Sequence, residues 1–157
     1  MDQLIQMFPL LYSNEDKVRS HHFLPHVADV RLKAEGDSLE ELFTAALEGM
    51  NNLIKTSSCP AKKEDDQQLK EKIEISSVDA TSLLIDFLSE VLTYSQVNKA
   101  IYCRVKFEKL TNNFLSATIF GNRVDTFDED IKAVTYHEAE IKKDEKGIFS
   151  TIIIFDI

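Results

Sequence analysis

Apolar and polar residues follow two different periods along the 157-residue chain, and the changes of period mark where strands give way to helices. Val30, Leu32 and Ala34 alternate with Arg31, Lys33 and Glu35, the pattern of a strand with one buried face. Gly36-Asp37 ends it. Ser38-Leu39-Glu40-Glu41 then has the S-x-x-E form of a capping box, which satisfies the first amides of a helix. Behind it Leu39, Leu42, Phe43, Ala46, Met50 and Leu53 recur every three or four residues, predicting a helix over 39 to about 54. The stretch from 55 to about 70, with Pro60 and a run of charges from Lys62 to Asp66, reads as a solvated loop. Ile73 and Ile75 suggest a second strand. Asp79 can cap a second helix, in which Leu84, Phe87, Leu88, Val91 and Leu92 hold the helical period to about 96.

Strand periodicity dominates the rest. Ile101, Cys103, Val105 and Phe107 alternate with Tyr102, Arg104, Lys106 and Glu108, and Thr111-Asn112-Asn113 turns the chain into a hairpin with residues 114–121. After an acidic loop containing Asp125, Asp128, Glu129 and Asp130, a strand is expected over about 131–142. A turn at 144–147 and a final strand over 148–157 follow. Residues 1–22 read as an N-terminal extension, because Leu4, Phe8 and Leu11 have helical spacing that Pro9 interrupts. The expected fold is α+β, with two helices packed on a mixed, mostly antiparallel sheet of about six strands, in one domain over 23–157.

Composition narrows the function. The chain carries 27 acidic against 18 basic side chains, a net charge of −9. That argues against a strong direct grip on nucleic acid or on an anionic membrane. A chain near ~150 residues buries about 70% of its unfolded surface and needs neither disulfide nor metal to hold a core. Cys59 and Cys103 are far apart, with no C-x-x-C, which excludes a cysteine zinc site and a disulfide-rich scaffold and is compatible with a reducing cytoplasm. The first residues have no basic region and no long apolar run, so a cytoplasmic location is expected. No Gly-rich phosphate loop, G-x-S-x-G elbow or H-E-x-x-H occurs.

Candidate chemistry rests on carboxylates. Asp29 begins an apolar alternation, and Asp156 follows Ile152-Ile153-Ile154-Phe155. An ionised carboxylate in such a place is costly unless it is paired, hydrogen-bonded or bound to a metal. If the first and last strands are neighbours, Asp29, Asp156 and the terminal carboxylate of Ile157 could gather three hard oxygen donors. Such a set suits Ca²⁺, with Mg²⁺ or Mn²⁺ as alternatives, over zinc or copper. The bland alternative is a pair of solvated strand ends. His26 lies three residues before Asp29 and would reach the same ion only if the chain turned at Pro25-His26. His21 and His22 point to opposite faces of an extended segment and do not converge. Lys132 near the carboxylates could form a salt bridge or a phosphate contact, and Asp37 reads as a turn or cap residue.

These blocks resemble the archease family. Phe23-Leu24-Pro25-His26-Val27-Ala28-Asp29-Val30 is similar to its opening motif, usually H-T-A-D followed by an aliphatic residue. The stretch from Gly36 to Phe43, the helix around Leu83 to Leu92, the late Lys132-Ala133-Val134-Thr135-Tyr136-His137 and the final Phe155-Asp156-Ile157 match further family blocks in order. Val27 stands where a Thr is usual, Phe87 where a Trp is common, and the loop 122–130 lacks the usual histidine and proline. The resemblance implies a non-enzymatic partner of the GTP-dependent RNA-splicing (tRNA) ligase, promoting guanylylation of the ligase and multiple turnover. It implies a metal site of Asp29, Asp156 and Ile157, with Lys132 tied to activation and His26 as a further candidate. The alternatives are a chaperone or modulator of RNA-modifying enzymes and a small metal-dependent hydrolase.

Overall fold

The structure is a computed structural model that describes residues 17–24, 29–59 and 67–157. Among them the elements run β1 (Arg19–Leu24), β2 (Val30–Gly36), α1 (Leu39–Ile54), β3 (Leu69–Ser76), α2 (Ala80–Asn98), β4 (Ala100–Leu110), β5 (Phe114–Arg123), β6 (Ala133–Thr135), β7 (Lys142–Lys143) and β8 (Phe149–Asp156). The α+β class holds. The strands divide between two sheets, and every pairing is antiparallel. The first sheet is ordered β1-β2-β8-β6, with β7 also pairing with β8; the second is β3-β5-β4. The helices lie between them, α1 against β1, β2 and β4, and α2 against all three strands of the second sheet and β6.

Local sequence explains the helix boundaries. The Ser38 hydroxyl accepts the Glu41 amide at 3.1 Å, which makes the expected N-cap of α1. Asp79 does the same for the Ser82 amide at 2.8 Å in α2. α2 ends at Lys99, whose φ of 51° is left-handed, and its amide bonds back to the Ser95 carbonyl. The apolar faces meet in one core, where Leu32, Phe43, Phe87, Tyr102, Ile119 and Phe155 are fully buried. Gly49 lets α1 approach β2 closely, because a Cβ there would sit 2.5 Å from the Leu32 side chain.

Three features differ from the sequence reading. The segment expected as one strand over 131–142 is strand only at 133–135 and 142–143. Between them the chain turns, with Glu138 at φ 63° and the Ala139 amide bonded to the Tyr136 carbonyl. β1 begins at Arg19, inside the segment read as an extension, and pairs along its length with β2. Its sequence hides it, since the residues on its α1-facing side include Arg19 and His21. Cys59 and Cys103 are joined in a disulfide, which ties the segment after α1 to β4. The expectation for Leu4, Phe8, Pro9 and Leu11 lies outside the described residues.

Candidate functional site

The carboxylates meet where three strands end side by side. Val30 pairs with Phe155 at the end of the β2–β8 ladder, so Asp29, in the bend before β2, and Asp156, the last residue of β8, both lie next to that pair. Both are exposed. On the other flank of β8, Ala133 pairs with Asp156, and the Lys132 amide donates to the Asp156 carbonyl at 2.7 Å. Ile157 follows Asp156 and packs partly against the core. β2 and the last strand, β8, are therefore neighbours, which sets Asp29, Asp156, Ile157 and Lys132 at the same end of the sheet. His26 lies outside the described residues. His21 approaches Asn52 of α1 at 3.3 Å and is not part of the cluster. Asp37 accepts the Val18 amide at 3.0 Å, a turn role.

Like charges directly opposite each other on neighbouring strands are destabilising. A cation held between Asp29 and Asp156 would offset any such repulsion. Among the described residues no group of three or more His, Cys, Asp and Glu side chains is gathered. Two carboxylates are present at this end of the sheet. This donor set fits an oxygen-preferring divalent cation and not zinc or copper. Arg31, two residues beyond Asp29, adds positive charge nearby. It bonds Glu138 at 3.0 Å, while its buried Nε has no partner among the described residues.

The segment around β6, which Lys132 immediately precedes, is fastened to α2 at two places. Gln96 donates its side-chain amide to the Ile131 carbonyl at 2.9 Å. Asp86 accepts the Ser77 hydroxyl at 2.6 Å and also the phenol of Tyr136. The Asp86 carboxylate, accepting that proton, holds the Tyr136 phenol above the usual tyrosine range, with partial burial adding to the effect. The preceding acidic loop is anchored to the end of α1, where the Asp128 amide meets the Ile54 carbonyl at 2.7 Å and its carboxylate accepts the Thr56 amide at 2.9 Å. Sequence reasoning missed Gln96, Asp86 and Tyr136 as positioning residues. One polar side chain on the outer face of an amphipathic helix looks like any other.

A neighbouring cleft of about 240 Å³ on the same sheet is lined by Lys33, Glu138, Glu140, Lys142, Ser150, Thr151 and Ile152 and does not include the carboxylates. An exposed strand-end cluster suits docking against a macromolecule better than enclosure of a small substrate.

Residues 21–157 match the model of the Archease protein family. The chain belongs to the archease family. Its relatives include the protein archease of Pyrococcus abyssi, 31% identical over 139 residues, covering 84% of this chain and 94% of that one. The protein archease of Methanothermobacter thermautotrophicus is 31% identical over 147 residues, covering 89% of this chain and all of that one. The solution structure of Methanobacterium thermoautotrophicum protein 1598 superposes with a TM-score of 0.68 at 28% identity, over 87% of this chain and 98% of that one. A crystal structure from Thermotoga maritima, described as an archease and possible chaperone, gives a TM-score of 0.54 at 20% identity, over 85% of this chain and 94% of that one, and supports the archease fold. The family match starts within β1, so the strand that the sequence hid lies largely inside the archease region. No helix among the described residues is long and apolar enough to cross a membrane.

Proposed function

We propose that this protein is a non-catalytic cofactor of the GTP-dependent RNA-splicing ligase, promoting guanylylation of the ligase and sustaining multiple turnover. The observation that carries the reading is that Asp29 and Asp156 lie exposed at the same end of the neighbouring strands β2 and β8, with the Lys132 amide bonded to the Asp156 carbonyl. Asp29, Asp156 and the Ile157 carboxylate would hold a divalent cation, Ca²⁺ first and Mg²⁺ or Mn²⁺ as alternatives. When bound, such an ion supplies positive charge for phosphate oxygens. The chain's own residues present the site. β2, β8 and β6 hold the two carboxylates and Lys132 at one tip, and Gln96 and Asp86 keep β6 on the body. The tip would border the ligase active site and favour a conformation competent for nucleotide transfer, since a cofactor that raises a rate must bind a competent state better than the resting one. The net charge of −9 suits encounter with a basic RNA enzyme.

A general chaperone needs a broad apolar client surface. Among the described residues the exposed large apolar side chains Phe23, Val78, Val97 and Tyr136 are instead scattered over β1, the residues before α2, the end of α2 and the turn after β6. The deciding experiment is multiple-turnover RNA ligation and guanylylation by the cognate ligase with sub-stoichiometric protein. Wild type should stimulate, while folded Asp29→Ala and Asp156→Ala variants should lose about tenfold or more of the stimulation, the loss expected when metal ligation fails. Stimulation by wild type that both variants retain would remove the carboxylate site from the mechanism. No stimulation of an active ligase would end the cofactor reading.

A further inference from the structure

The charge of −9 is not evenly spread. On β3, Ile73 and Ile75 turn inward with Ala117 and Leu115 of β5, so Lys70, Lys72 and Glu74 stand on the outer face. On the opposite flank Arg104 and Lys106 pair with Phe120 and Thr118, and Lys109 pairs with Ser116, on that same face. Glu108, beside a break in the register, reaches the Thr118 hydroxyl at 3.1 Å. The outer face of the second sheet thus carries five cations and two carboxylates. The Lys72–Glu108 pair at 3.7 Å joins one of each. No ion pair joins Lys70, Lys106 or Lys109 to a described residue.

In the middle lies Phe120, half-buried, with the Arg104 guanidinium 3.9 Å from its ring centre. Lysines on edge strands also guard a sheet against pairing with other chains. That role accounts for the lysines. It does not account for an aromatic ring on the outer face of the central strand, stacked with a guanidinium. A flat platform of ring and guanidinium, flanked by cations and hydroxyls, is the chemistry that stacks unpaired bases and neutralises phosphates. Along a strand, residues of one face repeat every ~7 Å, a step an extended single strand can follow.

We propose that the outer face of the β3-β5-β4 sheet binds single-stranded RNA, with phosphates at Lys70, Lys106 and Lys109 and a base on the Phe120–Arg104 platform. The inference does not rest on the ligase reading, and its test contains no ligase. Fluorescence anisotropy of a labelled RNA of about 12 nucleotides, within the span of single-strand binding sites, would be titrated with the full chain at several salt concentrations. Binding at low salt is expected, with log affinity falling against log salt at a slope of about −2.1 for the three lysines. Lys70→Gln with Lys106→Gln should weaken binding about tenfold at low salt and make the slope shallower by about 1.4. Phe120→Leu should weaken binding about fivefold or more and leave the slope unchanged. Thermal melts would confirm that the variants are folded. Absence of binding by wild type at low salt, or lysine variants that bind as wild type does, would overturn the proposal. So would polyglutamate binding as tightly as RNA with Phe120→Leu indifferent to both, a result that assigns the face to an acidic protein.

Discussion

Asp29 immediately precedes β2 and Asp156 ends the neighbouring β8, and in the proposed metal site a cation would offset the repulsion between them. The consequence is measurable without a ligase. In chelator, Asp156→Asn should melt at or above the wild-type temperature, because a repulsion is gone. With Ca²⁺ at about a hundred times its dissociation constant, wild type should gain about 2.7 kcal/mol, a rise of roughly 5–10 °C, and the variant should gain little. Differential scanning calorimetry with and without Ca²⁺ checks this, and equal gains by both proteins would place the ion elsewhere. The two carboxylates are visible beside apolar runs, but solvated strand ends give the same pattern, and it is the family resemblance that marks them as a proposed metal pair. Lys132 was legible only through the motif around it. Asp86, Gln96 and Tyr136 were not, since their roles come from contacts across 35 to 50 residues of chain.

The two helices were readable to within two residues at their ends, because capping side chains and a regular apolar stripe are both local signals. The strands were less so. β1 escaped notice because polar residues such as Arg19 and His21 occupy its α1-facing side and are satisfied by Glu41, Glu48 and Asn52, which only the folded chain brings near. The expected strand over 131–142 is strand only at 133–135 and 142–143, because a left-handed Glu138 turns the chain between them. The sheet was read as one because periodicity carries no information about which strands pair. A three-residue strand depends on its fastenings. Tyr136→Phe, which keeps the ring and deletes the bond to Asp86, should speed amide exchange at Ala133–Thr135 by about 2- to 10-fold while leaving β8 core amides unchanged. Hydrogen exchange followed by NMR or mass spectrometry would show it, and unchanged exchange at β6 would remove the anchoring role.

Taken as a molecule, the protein separates its chemistry by surface. One tip gathers carboxylates, the outer face of the second sheet gathers cations, and the helices between them hold both on one core. Overall charge, which is all that composition reports, averages these two surfaces away. The disulfide is the other feature invisible at the level of composition, since spacing does not say which segments fold together. It joins residues 44 apart, and closing a loop of that length contributes about 4 kcal/mol by restricting the unfolded chain. Reduction, or Cys59→Ser with Cys103→Ser, should lower the unfolding free energy by about 2–4 kcal/mol in denaturant titrations, and no change would remove the bond from the stability of the fold.

The same bond also shapes the state that has lost the fold. The ring it closes encloses β3, the whole of α2 and the first residues of β4, with two open arms leaving from one junction. Unfolded and oxidised, the chain remains a tadpole of smaller radius than the linear chain, and the residues inside the ring shield one another from solvent. The dependence of stability on denaturant concentration should therefore be shallower for the oxidised protein than for the reduced one, so the two titration curves differ in slope as well as in midpoint.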